Sequence, residues 1–147
     1  MVAHDRHHAN AWIVANDPLR IVALTDPVID KLGHPAGSEY VETYWLPILG
    51  PSAVLAARRL VDWLDAEPDG FDLSLGEFAC SLGLGSGIAN HAPVVRTLAR
   101  LVDFGMAATG GSAYAIRRTF PPLPARYISR LPNYLARSHQ LELEVVR

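Results

Sequence analysis

Seven side chains in the second half of the chain have the chemistry of anion and base recognition: Asn90, His91, Arg96, Thr97, Arg100, Arg117 and Arg118. Arg96 and Arg100 are four residues apart, so on a helix they share a face. A guanidinium there can fork onto guanine in a major groove or onto a phosphate at its rim. Asn90, where a helical run begins, either reads an adenine edge or caps the helix. Arg117 and Arg118 are neighbours in an extended run and point to opposite faces. Tyr114 and Ile116 share the face of Arg118 and are expected to pack inward, leaving Arg117 outward. The competing reading is a solvated basic surface.

The charge distribution sharpens this. Residues 1–77 hold five basic and twelve acidic side chains, a balance of -7, whereas residues 78–147 hold eight and three, a balance of +5. Between 90 and 138, seven arginines stand against Asp103 alone. A segment so charged carries a positive potential inside a chain of net charge -2. Twelve of the thirteen basic residues are Arg and Ala is abundant, as a GC-rich genome produces, so the Arg bias by itself is no phosphate signal. The acidic first half is expected to face away from DNA or to contact a protein partner.

Other chemistries find little support. His4, His7 and His8 cluster as transition-metal ligands do, but read more simply as a polar terminus. His34, His91 and His139 have no ligand spacing. The single cysteine, Cys80, allows no internal disulfide and no cysteine zinc cage, and is expected to be a small buried thiol. Glu39 and Glu42 flank Tyr40 and Tyr44 as in a carbohydrate site, yet no second carboxylate can be set opposite them. The glycine loop at 83–87 lacks the Lys-Ser/Thr of a phosphate cradle, and Ser52 is a first-turn helix residue. The sequence therefore gives no catalytic residue, no metal site, no cofactor motif and no enzyme. Apolar stretches are too short to span a bilayer, and no charged-then-apolar leader follows Met1. The expected location is the cytoplasm.

These side chains need elements to hold them. Residues 12–14 and 19–24 read as two strands of an N-terminal hairpin turned at Asn16-Asp17-Pro18. Asp26-Pro27 begins a short helix. Residues 40–50 are aromatic-rich and end at Gly50-Pro51. A long helix is predicted over 51–65, with apolar positions at helical spacing, and an extended link over 71–73. Ser74-Leu75-Gly76-Glu77 is a capping box for a two-turn helix. A third helix runs to Phe104 and is closed by Gly105. Strand, glycine turn and strand follow over 106–119, then short helices over 125–131 and 133–143. Trp45 and Trp63 are expected in the core or a dimer contact. After Pro132, apolar side chains including Tyr134, Leu135, Leu141, Leu143, Val145 and Val146 offer a candidate homodimer surface.

The patterns "LGEFACSLGL", "VVRTLARLVDFGM" and "AATGGSAYAIRR" carry a resemblance. Residues 51–119 resemble the winged helix-turn-helix domain of bacterial transcription regulators. The loop from Gly83 to Asn90 is longer than the tight turn usual there. The flanks, with "YVETYWLPILGP" and "LPARYISRLPNYLARSH", are similar to uncharacterised actinobacterial proteins, a likeness that implies no activity. The expected fold is mainly α with a small β-hairpin (α+β). It divides into an N-terminal extension over 1–50, the winged domain over 51–119 and a helical extension over 120–147. The resemblance implies double-stranded DNA as partner and transcriptional control as role. The alternative is a non-catalytic protein–protein interaction module on the same fold.

Overall fold

The first helix lies where a strand is expected. The computed structural model describes residues 5–146, with side chains placed for 9–143. Within it α1 (Asp5–Ala15) takes up Trp12, Ile13 and Val14. Three consecutive apolar residues fit either a helical or a strand period. Ala9 and Ile13, four apart and both buried, settle the matter by packing on α6 (Pro93–Asp103). The Asn16 side chain closes α1 by donating from Nδ2 to the Trp12 carbonyl at 2.8 Å. The N-terminal hairpin is thus replaced by a helix followed by one strand.

That strand, β1 (Leu19–Leu24), lies inside a four-stranded sheet. With β3 (Phe71–Leu73), β4 (Ala107–Gly110) and β5 (Ala113–Arg117) the order is β3-β1-β5-β4. β1 runs antiparallel to β3, with Leu19 opposite Leu73, and parallel to β5, with Ile21 opposite Tyr114. The segment preceding residue 51 is therefore built into the central sheet. Leu19 and Ile21 of β1, and Tyr114 and Ile116 of β5, alternate inward and are fully buried. Residues 71–73, read as a link, are a strand because β1 offers them a partner.

α4 (Pro51–Ala66) packs on β1 and β5. It buries Ala53, Ala56, Ala57, Leu60 and Leu64 along one face. Each buried leucine contributes ~1.5–3 kcal/mol. α5 (Leu75–Ser81) starts at Ser74, whose Oγ accepts the Glu77 N–H at 3.4 Å. Leu75, Phe78 and Ala79 face inward, which turns Cys80 outward; the thiol expected to be buried is exposed. Tyr114 ties the sheet to α6 through its hydroxyl, which donates to the Leu98 carbonyl at 2.8 Å. Burial pushes its phenol well above the usual range.

Asp26 caps α2 (Pro27–Leu32), its Oδ1 accepting from the Val28 and Ile29 amides. Next, β2 (His34–Pro35) pairs with β6 (Thr119–Phe120). Gly33 is required there, because a Cβ would collide with the Phe120 carbonyl oxygen. A π-helical turn over Val41–Trp45 leads into α3 (Leu46–Leu49). Pro47 has no amide to donate to residue 43 and its ring crowds that carbonyl, which favours the wider turn. Trp45 is buried, its Nε1 donating to the Pro121 carbonyl at 2.9 Å, whereas Trp63 keeps 37% of its surface exposed. The chain finishes with α7 (Ala125–Ile128) and α8 (Asn133–Val146). Tyr134, Leu141 and Leu143 of α8 are exposed; the side chains of Val145 and Val146 lie outside those described, as do those of His4, His7 and His8. Among the described residues no helix is long and apolar enough to cross a membrane.

Candidate nucleic-acid interface

α6 is covered on most of its circumference. Val94, Val95, Leu98 and Leu101 are fully buried, and α1, α4, α5 and β4 all pack on it. Pro93, Arg96, Arg100 and Asp103 form the stripe left exposed. α1 is tied to the approach to α6 by Asn10, whose Nδ2 donates to the Asn90 carbonyl at 2.9 Å. The start of α4, this stripe, Asn10 and Arg130 together line an open cleft of about 660 Å3.

The wall formed by α4 depends on Gly50. Its φ of 86° and ψ of 160° are open essentially to glycine alone, and they turn the chain sharply from α3 into α4. No side chain caps this helix start and no acid lies in its first turn. The amides of Ser52 and Ala53 precede the first helical hydrogen bond, from the Val54 N–H to the Gly50 carbonyl. Both residues line the cleft. Arg100 fastens this corner. Its Nε donates to the Leu49 carbonyl at 2.7 Å and its Nη2 to the Ile48 carbonyl at 2.9 Å, while the guanidinium lies 5.1 Å from the centre of the Phe104 ring. Carbonyl dipoles satisfy those donors without cancelling the charge.

Thr97 forms part of the floor. It is only 7% exposed. Its hydroxyl has no hydrogen-bond partner among the described residues, yet it is not sealed from solvent. Arg96, His91 and Arg130 are exposed around the cleft, and neither Arg96 nor Arg130 has a hydrogen bond to a carboxylate or carbonyl among the described residues. Arg130 lies over the Tyr127 ring, 5.7 Å from its centre. Among the described residues three guanidinium groups, those of Arg96, Arg100 and Arg130, and one carboxylate, that of Asp103, line the cleft.

Comparison with protein-family models, curated proteins and solved structures finds no match.

Of the seven residues singled out by sequence, His91, Arg96, Thr97 and Arg100 come together at this cleft. Asn90 is exposed beside it. Arg117 and Arg118 do not line it. Arg117 Nε donates to the Gly105 carbonyl at 2.7 Å, and its Nη1 stands 3.6 Å from Asp26 Oδ2. Arg118 Nη2 donates to the Leu64 carbonyl at 3.0 Å, and its Nη1 stands 3.5 Å from Asp65 Oδ1. Sequence reasoning did not single out Arg130 or the bare start of α4. The signal for the second was present: Gly50-Pro51 opens a helix with neither a capping side chain nor an acid behind it. Among the described residues no group of three or more His, Cys, Asp or Glu is placed to hold a metal ion.

Proposed function

We propose that the chain binds duplex DNA through the exposed stripe of α6 and the arginines around the adjoining cleft, in the manner of a winged helix-turn-helix regulator working in the cytoplasm. The observation carrying this reading is that Arg96, Arg100 and Arg130 line one cleft, with Asp103 the one acidic residue among the described residues that line it. The order α4, β3, α5, α6, β4, β5 supports it, since helix, strand, two helices and a hairpin is the winged-helix sequence of elements. β1 then stands as an insertion between the first strand and the hairpin. The reading differs in detail from the sequence expectation. Thr97 is too buried to reach a base, and the hairpin arginines are held by the chain's own carboxylates. With α1 along one flank, α6 offers a duplex only the stripe of Pro93, Arg96, Arg100 and Asp103, and Arg96 and Arg130 grip phosphates from the surface. A homodimer would join through Tyr134, Leu141 and Leu143 of α8, and sedimentation at rising concentration measures it.

The test is duplex binding followed by fluorescence anisotropy across a salt series. Each phosphate contact releases condensed counterions, so log affinity falls linearly with log salt. Arg96→Ala should lower the slope by about 1. Binding that ignores both salt and Arg96→Ala rejects the reading. The second reading, a protein-docking module, is favoured by one observation: Arg100, Arg117 and Arg118 are all engaged within the chain, which leaves fewer cations for a polyanion.

A further inference from the structure

The cleft beside α6 has more built into it than a basic surface needs. We infer that it is a phosphate-binding site, in which the Ser52 and Ala53 amides, the Thr97 hydroxyl and the Arg96 and Arg130 guanidinium groups converge on one phosphate. The inference shares its arginines with the duplex-binding reading, and the experiment below separates the two.

Two independent features meet here. The first is the start of α4, a helix of 16 residues with no capping side chain and no acid in its first turn. Unsatisfied amides and the helix dipole make such a terminus attractive to anions. The second is Thr97, more than nine-tenths buried, polar and without a hydrogen-bond partner, on the floor of the same cleft. The residue is held in place by its burial while the hydroxyl itself is not sealed from solvent, so a ligand oxygen can take the place of water on it. Its low exposure makes it a poor contact for a groove edge but a good one for a small group that enters. Arg100 is the positioning residue: by holding the Ile48 and Leu49 carbonyls it keeps the α4 terminus aimed at the cleft, and its charge adds to the field. The volume of about 660 Å3 exceeds what a lone phosphate fills. Leu49, Ala99 and Phe104 supply apolar lining for an organic remainder. The shared chemistry is a phosphate ester, either a backbone phosphate of a duplex or a free phosphorylated small molecule.

The experiment follows the amide resonances of Ser52 and Ala53 in the full chain. Phenyl phosphate is titrated at fixed ionic strength, with sodium chloride as the matched control. A saturable shift of both amides with phenyl phosphate, absent with chloride, is expected. Thr97→Val keeps the shape and removes the hydroxyl; it and the surface change Arg130→Ala should each weaken binding about tenfold, as expected for a lost hydrogen bond to a charged group. A short duplex is then added to the saturated complex. If it displaces phenyl phosphate and moves the same amides, the site takes backbone phosphate. If phenyl phosphate binds and the duplex does not, the site serves a free ester and the duplex reading fails alone. Chloride-like shifts, no saturation, or equal affinity in both variants overturn the site. A duplex that still binds under those conditions leaves the duplex reading standing without it.

Discussion

Arg100 Nε donates to the Leu49 carbonyl at 2.7 Å, bridging the exposed stripe of α6 to the last turn before α4. The same guanidinium reaches Ile48, so one planar fork satisfies two carbonyls at the end of α3. Arg100→Ala should lower the unfolding free energy by about 1.5–3 kcal/mol, the range for hydrogen bonds made by a charged donor. Arg100→Lys should restore only part of it, because an ammonium lacks the rigid fork. Urea denaturation of the three proteins measures both, and full rescue by lysine would refute the bidentate account.

Gly50 is the second support of that corner. An Ala there would have to hold φ near 86° and ψ near 160°, a region L side chains strongly avoid. No atom lies within 4 Å of the added Cβ, so the cost is backbone strain alone. Gly50→Ala is expected to destabilise by about 1–3 kcal/mol, read from the shift in denaturation midpoint. An unchanged midpoint would show that the corner relaxes freely.

Much of this arrangement is legible in the sequence. The Ser74 cap, the long helix starting at Pro51, the helix closed by Gly105 and the inward alternation of Tyr114 and Ile116 all follow from local patterns that the tertiary fold leaves intact. What escaped was non-local. Trp12-Ile13-Val14 reads as strand on its own and is helical because Ala9 and Ile13 find α6. Residues 71–73 become a strand only because β1 arrives from some fifty residues earlier. At the candidate site, spacing put Arg96 and Arg100 on one face. It said nothing of Arg100 turning to the Ile48 and Leu49 carbonyls, or of Arg130 and the α4 amides meeting them.

Tyr40 and His139 link the π-helical turn to α8, with the Tyr40 hydroxyl 2.6 Å from His139 Nε2. The same hydroxyl accepts the Leu123 N–H at 2.8 Å, so its own proton is free to go to Nε2 of a neutral imidazole. Burial lowers the pKa of His139 below 6.5, while Glu142 pulls the other way. His34, stacked on Tyr40 at 3.6 Å, is lowered too, by burial first and by His139 last, again against Glu142. Tyr44, whose hydroxyl lies 2.6 Å from Ser138 Oγ, completes the group packed around His139. A lowered imidazole pKa means the unfolded chain takes up the proton first as pH falls. The stability contribution is therefore fully present above pH 6.5 and is lost as pH drops through the folded value. His139→Gln should flatten the fall in unfolding free energy below pH 6.5 relative to the parent. Measuring both proteins over the same range removes the common carboxylate effect. Parallel curves would contradict the neutral Tyr–His pair.

Arg117 and Asp26 provide the sharpest separation between structural and nucleic-acid roles. The Arg117 side chain is 17% exposed and that of Asp26 36%, with 3.6 Å between their charged atoms, so solvent screens the pair only in part. Arg117 Nη1 is sealed from solvent with no hydrogen bond, which leaves this carboxylate as its compensation. Asp26 also caps α2, and Asn caps about as well as Asp. Asp26→Asn therefore removes the charge and keeps the cap. It should cost about 1 kcal/mol of stability, and Arg117→Ala, which also loses the bond to the Gly105 carbonyl, about 1–2 kcal/mol. Neither change should alter the salt dependence of duplex binding, whereas Arg96→Ala should reduce its slope by about 1. A slope that falls with Arg117→Ala while stability holds would mean that this arginine leaves Asp26 for a phosphate, and the hairpin would then belong to the interface.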